Sequence, residues 1–350
     1  MHGYLLVMPR KNAEFNTEKR GNKSRVVFLG DGLEKIEGIQ CDFLKNVGKH
    51  VPKKESLEVF GEFTYAEIKY IRIKNPGLRI KINIKHGPVD FIRQVKDAVE
   101  LSNIRKSMQI VGRVFDQVRR KLMNTDKTRI NTEKALAQFI TKTGYKFGAG
   151  DISFPAIVAS GANAAIPHHV PSNKKLKAGE SIIIDFGFKY KNYCSDFTRT
   201  VFLKRVPAKL EKVYNQVEKA YEGAMEFISA PASLGTHTQK KNVKPVGNGL
   251  KPFPTACDVY QKAVDVLAEA RLDKYFIHSL GHGTGLEIHE LPNLSPGSKD
   301  VLKDNMVFSI EPGVYIKGLG GVRIEDLVYL KNGGVEKFIK VSTKLKDNII

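Results

Sequence analysis

The sequence predicts an α+β chain of two domains, a small α/β domain over residues 1–88 and a larger one over 89–350 with an internal pseudo-repeat. Three observations predict it. Gly87-Pro88 interrupts the chain between a stretch of short strand-like runs and a long helical one. Beyond it, Val95, Val99, Ile104, Met108, Val111, Phe115, Val118 and Leu122 follow helical spacing, broken once, which gives two consecutive helices. Two later stretches, Ser181–Leu203 and Tyr275–Leu330, alternate short apolar runs with Gly-rich turns, and helical segments come before each.

In order, Tyr4–Met8, Arg25–Leu29, Glu58–Phe60 and Ile68–Ile73 read as strands, and Leu33–Val47 as a helix. His2, His50 and His86 stand apart from any cluster and carry no chemistry. After the first two helices, Asn131 or Thr132 caps a third that runs through Ile140, with Gly144–Gly150 as its breaker. ISFPAIVASGANAAIPHHVPSN follows as strand and loop. Ser181–Leu203 reads as a β-hairpin with its turn in Lys189–Asn192, and Val206–Ile228 as an amphipathic helix through Leu210, Val213, Val217 and Tyr221. Residues 229–254, rich in Pro, Gly and Lys, read as a surface insertion. Thr255 and Asp258 form a capping box for a helix through Arg271.

Lys+Arg number 57 against 37 Asp+Glu, a formal net charge of +20. That balance admits nucleic acid as a partner. No RNA-recognition, zinc-finger or basic-zipper pattern accompanies it, so the charge is read as a Lys-rich surface. Three widely spaced cysteines, Cys41, Cys194 and Cys257, argue against a disulfide framework and for a reducing, cytoplasmic setting. No apolar run approaches the ~20 residues that span a bilayer, and the N-terminus shows no signal pattern.

The chemistry concentrates in the two later stretches. Asp185 and Asp196 are equidistant from Tyr190-Lys191, so a symmetric hairpin sets them opposite each other, with Cβ atoms ~5 Å apart. Two carboxylates buried that close must share a proton or a cation. Glu311 and Glu325 are equidistant from Gly318, so a second hairpin pairs them in the same way, distorted at Pro312-Gly313. His282, between glycines in GHGTG, adds an imidazole. Four carboxylates and one imidazole suit a pair of divalent cations. GHGTGLEIHE lacks the G-x-G-x-x-G spacing of a dinucleotide loop. Neither His278 and His282 nor His289-Glu290 completes a helical H-E-x-x-H site. Thr198 lies two residues from Asp196, either beside the ligands or in plain β-packing. Cys194 reads as core, His169 as a bystander and His237 as solvated.

IIIDFG, YCSDFTRT, SLGHGTGLEIHE, SIEPGVY and GGVRIED together resemble the pita-bread metallopeptidases (M24), which include methionine aminopeptidases and the Xaa-Pro enzymes. The resemblance covers Val89 to the C-terminus apart from the insertion, and implies the pita-bread fold behind a shortened N-terminal domain. It implies that Asp185, Asp196, His282, Glu311 and Glu325 hold two metal ions, Mn²⁺ or Co²⁺ before Zn²⁺ or Fe²⁺. GGVRIED, with Arg323, and IVASGANAAIPHH, with His168, resemble the proline-specific branch. The implied activity is removal of a residue that precedes proline, as an Xaa-Pro aminopeptidase or dipeptidase, through a hydroxide bridging the metals. Glu311 would accept the water's proton. His168 and His289 would contact the oxyanion and the prolyl residue, His278, flanking the metal histidine, would bind substrate beside them, and Arg323 would hold the substrate or its carboxylate. A homodimer acting on peptides with proline second is also implied. The alternatives are a methionine aminopeptidase-type enzyme and a non-enzymatic module of this fold that binds RNA or protein.

Overall fold

The computed structural model describes residues 88–123, 130–229 and 254–350 throughout, and four strands of the chain before them. Those four are β1 (Tyr4–Val7), β2 (Val26–Leu29), β3 (Ser56–Phe60) and β4 (Arg79–Asn83). β1 pairs antiparallel with β2, and β3 pairs parallel with β4. β4 was not anticipated, although Ile80 and Ile82 alternate with basic residues in RIKIN. The strand expected at Ile68–Ile73, the helix at Leu33–Val47, the three isolated histidines, His237 and most of the insertion lie outside the described residues. The backbone groups into two compact units, Met1–Ile92 and Arg93–Ile350.

Helix α1 (Pro88–Gln94) runs across that boundary, and α2 (Ala98–Leu122) and α3 (Glu133–Lys146) follow in the second unit. Asp97 caps α2 in a reciprocal box with Glu100. Thr132 caps α3 by accepting from the Ala135 N–H. α3 runs past Ile140 and Gly144 to Lys146, and ends within the expected breaker, where Gly148 has a φ of 94°. Gly144 breaks nothing: the Phe188 ring lies against it, and a Cβ there would sit 2.0 Å from a ring carbon. The glycine makes room for packing and does not end the helix.

Strands β5 (Asp151–Ile152), β6 (Ile157–Ser160), β7 (Ser181–Asp185), β8 (Phe188–Tyr190), β9 (Tyr193–Cys194) and β10 (Phe197–Phe202) follow. Then come α4 (Ala208–Ser229), α5 (Ala256–Glu269), β11 (Gly281–Gly283), β12 (Glu290–Leu294), β13 (Val307–Ile310), β14 (Gly313–Ile316), β15 (Gly320–Arg323), β16 (Glu325–Lys331) and β17 (Gly334–Lys337). Thr255 caps α5 in the expected box with Asp258.

The main sheet has eight strands in the order β12-β11-β13-β16-β10-β7-β6, with β17 also paired to β16. Every pair in it is antiparallel. About the central β16–β10 pair the order is quasi-symmetric. β7 and β10 follow the helix pair α2–α3, and β13 and β16 follow α4–α5, so the pseudo-repeat is visible in the topology. Period-2 alternation places a core on each face. Val307, Leu327 and Tyr329 pack with α2 and α3, whereas Phe308, Ile310, Val328 and Leu330 pack with α4 and α5.

Candidate active site

Five consecutive strands of the sheet, β11-β13-β16-β10-β7, each deliver one of the expected ligands. His282 is the middle residue of β11, Glu311 follows β13, Glu325 opens β16, Asp196 precedes β10 and Asp185 ends β7. Antiparallel neighbours bring strand ends beside strand beginnings, so residues far apart in sequence meet at one level of the sheet.

The second hairpin has the predicted register. Val307↔Tyr329 through Ile310↔Asp326, and Gly313↔Arg323 through Ile316↔Gly320, all share a midpoint at Gly318. Glu311 and Glu325 fall between these two ladders, where Pro312 splits the hairpin into separate sheets. The first hairpin needs a correction: Asp185 pairs with Thr198, not Asp196. The turn centres on Lys191-Asn192, both with positive φ (47° and 69°), one residue later than the symmetric guess. That moves the register by two residues, which leaves every side chain on its own face. Asp196 therefore stays on the face of Asp185 and Thr198.

Asp196, His282 and Glu325 each offer a ligand atom within 4.8 Å of the others. His282 Nε2 lies 3.4 Å from Asp196 Oδ2 and 3.5 Å from Glu311 Oε1. Its Nδ1 faces the Gly283 carbonyl at 3.1 Å. The glycines beside it admit close neighbours: a Cβ at Gly283 would lie 2.0 Å from the Leu291 carbonyl oxygen.

Burial raises the Asp185 carboxyl above its usual range; Arg323 opposes this and Asp196 adds to it. Burial likewise raises Glu311, against His282 and with Asp196. Glu325 is pushed well up by burial and then by Asp196, Glu311 and Asp185. For His282, burial disfavours the cation, but Asp196 and Glu311 outweigh it and lift the imidazole to about 9. Each group calls for positive charge at its centre. Asp185 Oδ1, buried, has no hydrogen-bond partner among the described residues. The donor set and this orphaned oxygen fit divalent cations.

Behind the carboxylates, Arg323 donates from Nη2 to Asp185 Oδ2 (2.6 Å) and from Nη1 to the Tyr315 hydroxyl (2.7 Å). It also donates to the Pro167 carbonyl (3.4 Å) and Thr198 Oγ1 (3.3 Å). The Arg323 donors are thus engaged by the protein in a buried position. His278 is similar. Ser279 O, an acceptor only, faces Nδ1 at 2.7 Å, so Nδ1 carries the proton, and Nε2 accepts from the Tyr315 hydroxyl at 2.8 Å. Burial lowers this ring to about 4, so it stays neutral. His289 stacks edge-on against His282, with ring centroids 4.3 Å apart. Burial and the His282 charge lower its pKa. His168 is exposed on the loop after β6, near enough for its charge to depress both His278 and His289.

The sequence reading missed Tyr315, four residues after Glu311, because its role depends on which elements pack together. Thr198 is settled: its hydroxyl donates to Glu325 Oε2 at 2.6 Å. His169 is no bystander, since its Nε2 meets Glu133 Oε2 at 2.9 Å. Cys194 is buried, and burial raises its thiol to about 11, consistent with core. No described helix is long and apolar enough to cross a membrane.

The model of metallopeptidase family M24 matches residues 102–332. The chain belongs to this family. The metallopeptidase is 31% identical over 296 residues to the Xaa-Pro dipeptidase of Pyrococcus furiosus, covering 83% of this chain and 75% of that one. A Mycoplasma pneumoniae relative is 36% identical over 256 residues, 73% of this chain but 64% of the relative's length. Among solved structures, the Xaa-Pro dipeptidase of Bacillus anthracis superposes with a TM-score of 0.74 at 29% identity, over 92% of this chain and 86% of that one. The prolidase of Pyrococcus furiosus gives 0.72 at 28%, over 91% and 88%. Family membership agrees with the donor set in implying divalent metal ions at this site.

Proposed function

We propose that this metallopeptidase is an exopeptidase that cleaves the bond before a proline in second position, as an Xaa-Pro dipeptidase or aminopeptidase. The observation that carries it is the delivery of two Asp, two Glu and one His to one point by five adjacent strands. The names of the relatives at 31% identity support the proline preference. Asp185, Asp196, His282, Glu311 and Glu325 would hold two divalent cations, Mn²⁺ or Co²⁺ before Zn²⁺ or Fe²⁺. Such ions, when bound, act as Lewis acids and lower the pKa of a coordinated water.

The chain's own groups do the rest. The Glu311 side chain is 16% exposed, against 6% for Asp196 and 10% for Asp185, so it is the carboxylate that substrate and water reach. As water attacks the carbonyl carbon, Glu311 takes its proton and returns it to the prolyl nitrogen as the C–N bond breaks. A carboxylate at this point can serve both halves of that transfer. His289, neutral through its lowered pKa, donates an N–H to the developing oxyanion, and His168 meets the substrate from the exposed loop. Arg323 orients Asp185, and His278 completes the hydrogen-bonded chain through Tyr315. Proline lacks an amide N–H, so enzymes that grip that group pass this bond by. A homodimer in the cytoplasm belongs to the same reading, on resemblance and composition.

The test is a peptide series on metal-loaded enzyme: Gly-Pro, a longer X-Pro peptide, and Met-Ala-X. Release of the first residue from X-Pro substrates alone supports the proposal, and the two lengths separate dipeptidase from aminopeptidase. Cleavage confined to Met-Ala-X would instead mark a methionine aminopeptidase.

A further inference from the structure

Glu133, the first residue of α3, has a side chain that is fully buried, 0% exposed, yet it lies outside the carboxylate cluster. The strand-and-loop segment Ser160–Ser172 wraps around it. Oε1 accepts from the Ser160 N–H and Ser160 Oγ, both at 2.8 Å, and from Asn163 Nδ2 at 3.0 Å. Oε2 accepts from His169 Nε2 at 2.9 Å, the Ser172 N–H at 3.1 Å and Ser172 Oγ at 2.6 Å. Asn163 Nδ2 also reaches Oε2, at 3.1 Å. One oxygen thus holds the start of the segment and the other its end. The helix returns the contact through its backbone, since the Lys134 N–H donates to the Ser172 carbonyl at 2.9 Å and the Glu133 N–H to that of Lys174 at 3.1 Å.

His168 sits inside this clasped segment, one residue before His169. Among the described residues no hydrogen bond holds its own ring. What fixes its location is therefore the backbone of the loop, and Glu133 gathers that backbone. The carboxylate suits the task because all six donor groups point at an acceptor. Burial opposes the charge, but the hydroxyl of Ser172, then His169 and Ser160, outweigh it and hold the pKa down to about 2. It stays an acceptor at any working pH.

We propose that Glu133 is a positioning residue for the hydrolysis: it clasps the Ser160–Ser172 loop so that His168 meets the substrate. This rests on the role given to His168 above. Glu133→Gln preserves shape but turns an amide N–H₂ toward donors. A misplacement of about 1 Å at a reacting group costs about 10²-fold, so kcat/KM for an X-Pro peptide should fall by that order while metal content stays at the wild-type level.

The deciding comparison is a double-mutant cycle with His168→Ala on metal-loaded enzyme. If Glu133 acts through His168, the double variant is no slower than His168→Ala alone. Multiplied losses, or a Glu133→Gln enzyme with wild-type kcat/KM beside an impaired His168→Ala, would overturn the proposal. Wild-type turnover by His168→Ala would instead overturn the role of His168 on which it depends. Should Glu133→Gln fail to fold, Ser172→Ala and Asn163→Ala each remove one clasp. They should give smaller losses that likewise vanish in the His168→Ala background, and losses that persist there would count against the clasp.

Discussion

Arg199 shows what a single buried side chain does beneath this site. It is 0% exposed, and its guanidinium donates to the Glu325 carbonyl at 2.6 Å and to Asp326 Oδ1 at 2.7 Å. It also donates to the carbonyls of Val341 (2.9 Å) and Ser342 (3.1 Å). It ties the start of β16 to the C-terminal segment and fixes the backbone from which Glu325 projects. Without Arg199, Asp326 Oδ2 keeps Lys337 (2.9 Å) and the Tyr221 hydroxyl (2.7 Å), but Oδ1 and four backbone carbonyls lose this donor. Arg199→Leu should therefore destabilise the fold by about 3–5 kcal/mol, read as a lower denaturant midpoint. A change below about 1 kcal/mol would mean the pair is solvated. The ligand residues behave differently. Glu325→Ala removes a charge that the buried cluster repels, so it should abolish metal binding and X-Pro turnover without comparable loss of stability in the chelated protein, whereas Asp185→Ala should abolish both and also leave the buried Arg323 without its carboxylate. Full turnover by Glu325→Ala would mean the site has been placed wrongly.

At the scale of elements, what could be read from sequence depended on turns. Glu311 and Glu325 were legible as a pair because Gly318, with φ of 82°, lies at the midpoint the register uses. Asp185 and Asp196 were legible as residues but not as direct partners, because nothing marked Lys191 for a left-handed conformation. α3 ends inside the stretch that reads as its breaker, but Gly144 is not the stop it resembles, and its reason for being glycine is the Phe188 ring, 44 positions away. Tyr315, Thr198 and Glu133 share that difficulty: each acts across elements whose contact no local pattern encodes. β11 offers a direct test. It lies between β12 and β13, and Gly283→Ala would put a Cβ 2.0 Å from the Leu291 carbonyl oxygen. Backbone cannot yield as a flexible side chain does, so this variant should lose metal and most activity. A fully active Gly283→Ala would mean that β11 and β12 are not packed as described.

For the whole molecule, the cluster is a store of unfavourable charge that cations relieve, so metal should stabilise the fold by mass action. The pH dependence follows from the shifts. Carboxyls raised in the folded state keep protons that the unfolded chain releases, so their effect on stability worsens as pH rises above about 4. His282, raised to about 9, contributes stability that is complete below its unfolded pKa of ~6.5 and lost as pH climbs through about 9. The lowered His278 and His289 act in the opposite direction, but only below ~6.5. The chelated protein should therefore lose stability between pH 7 and pH 9, by up to about 1.4 kcal/mol per pH unit for each proton involved. The metal-loaded protein should show a flatter profile. Equal profiles with and without metal would contradict the charge account.

The most direct test is to titrate Mn²⁺ or Co²⁺ into the chelated protein while following both bound metal and hydrolysis of an X-Pro peptide. The account predicts no turnover before metal is added, activity that appears as ions bind and saturates near two per chain, and neither binding nor activity in Glu325→Ala. Undiminished X-Pro hydrolysis by the metal-free protein, or metal bound by Glu325→Ala as tightly as by the wild type, would contradict it.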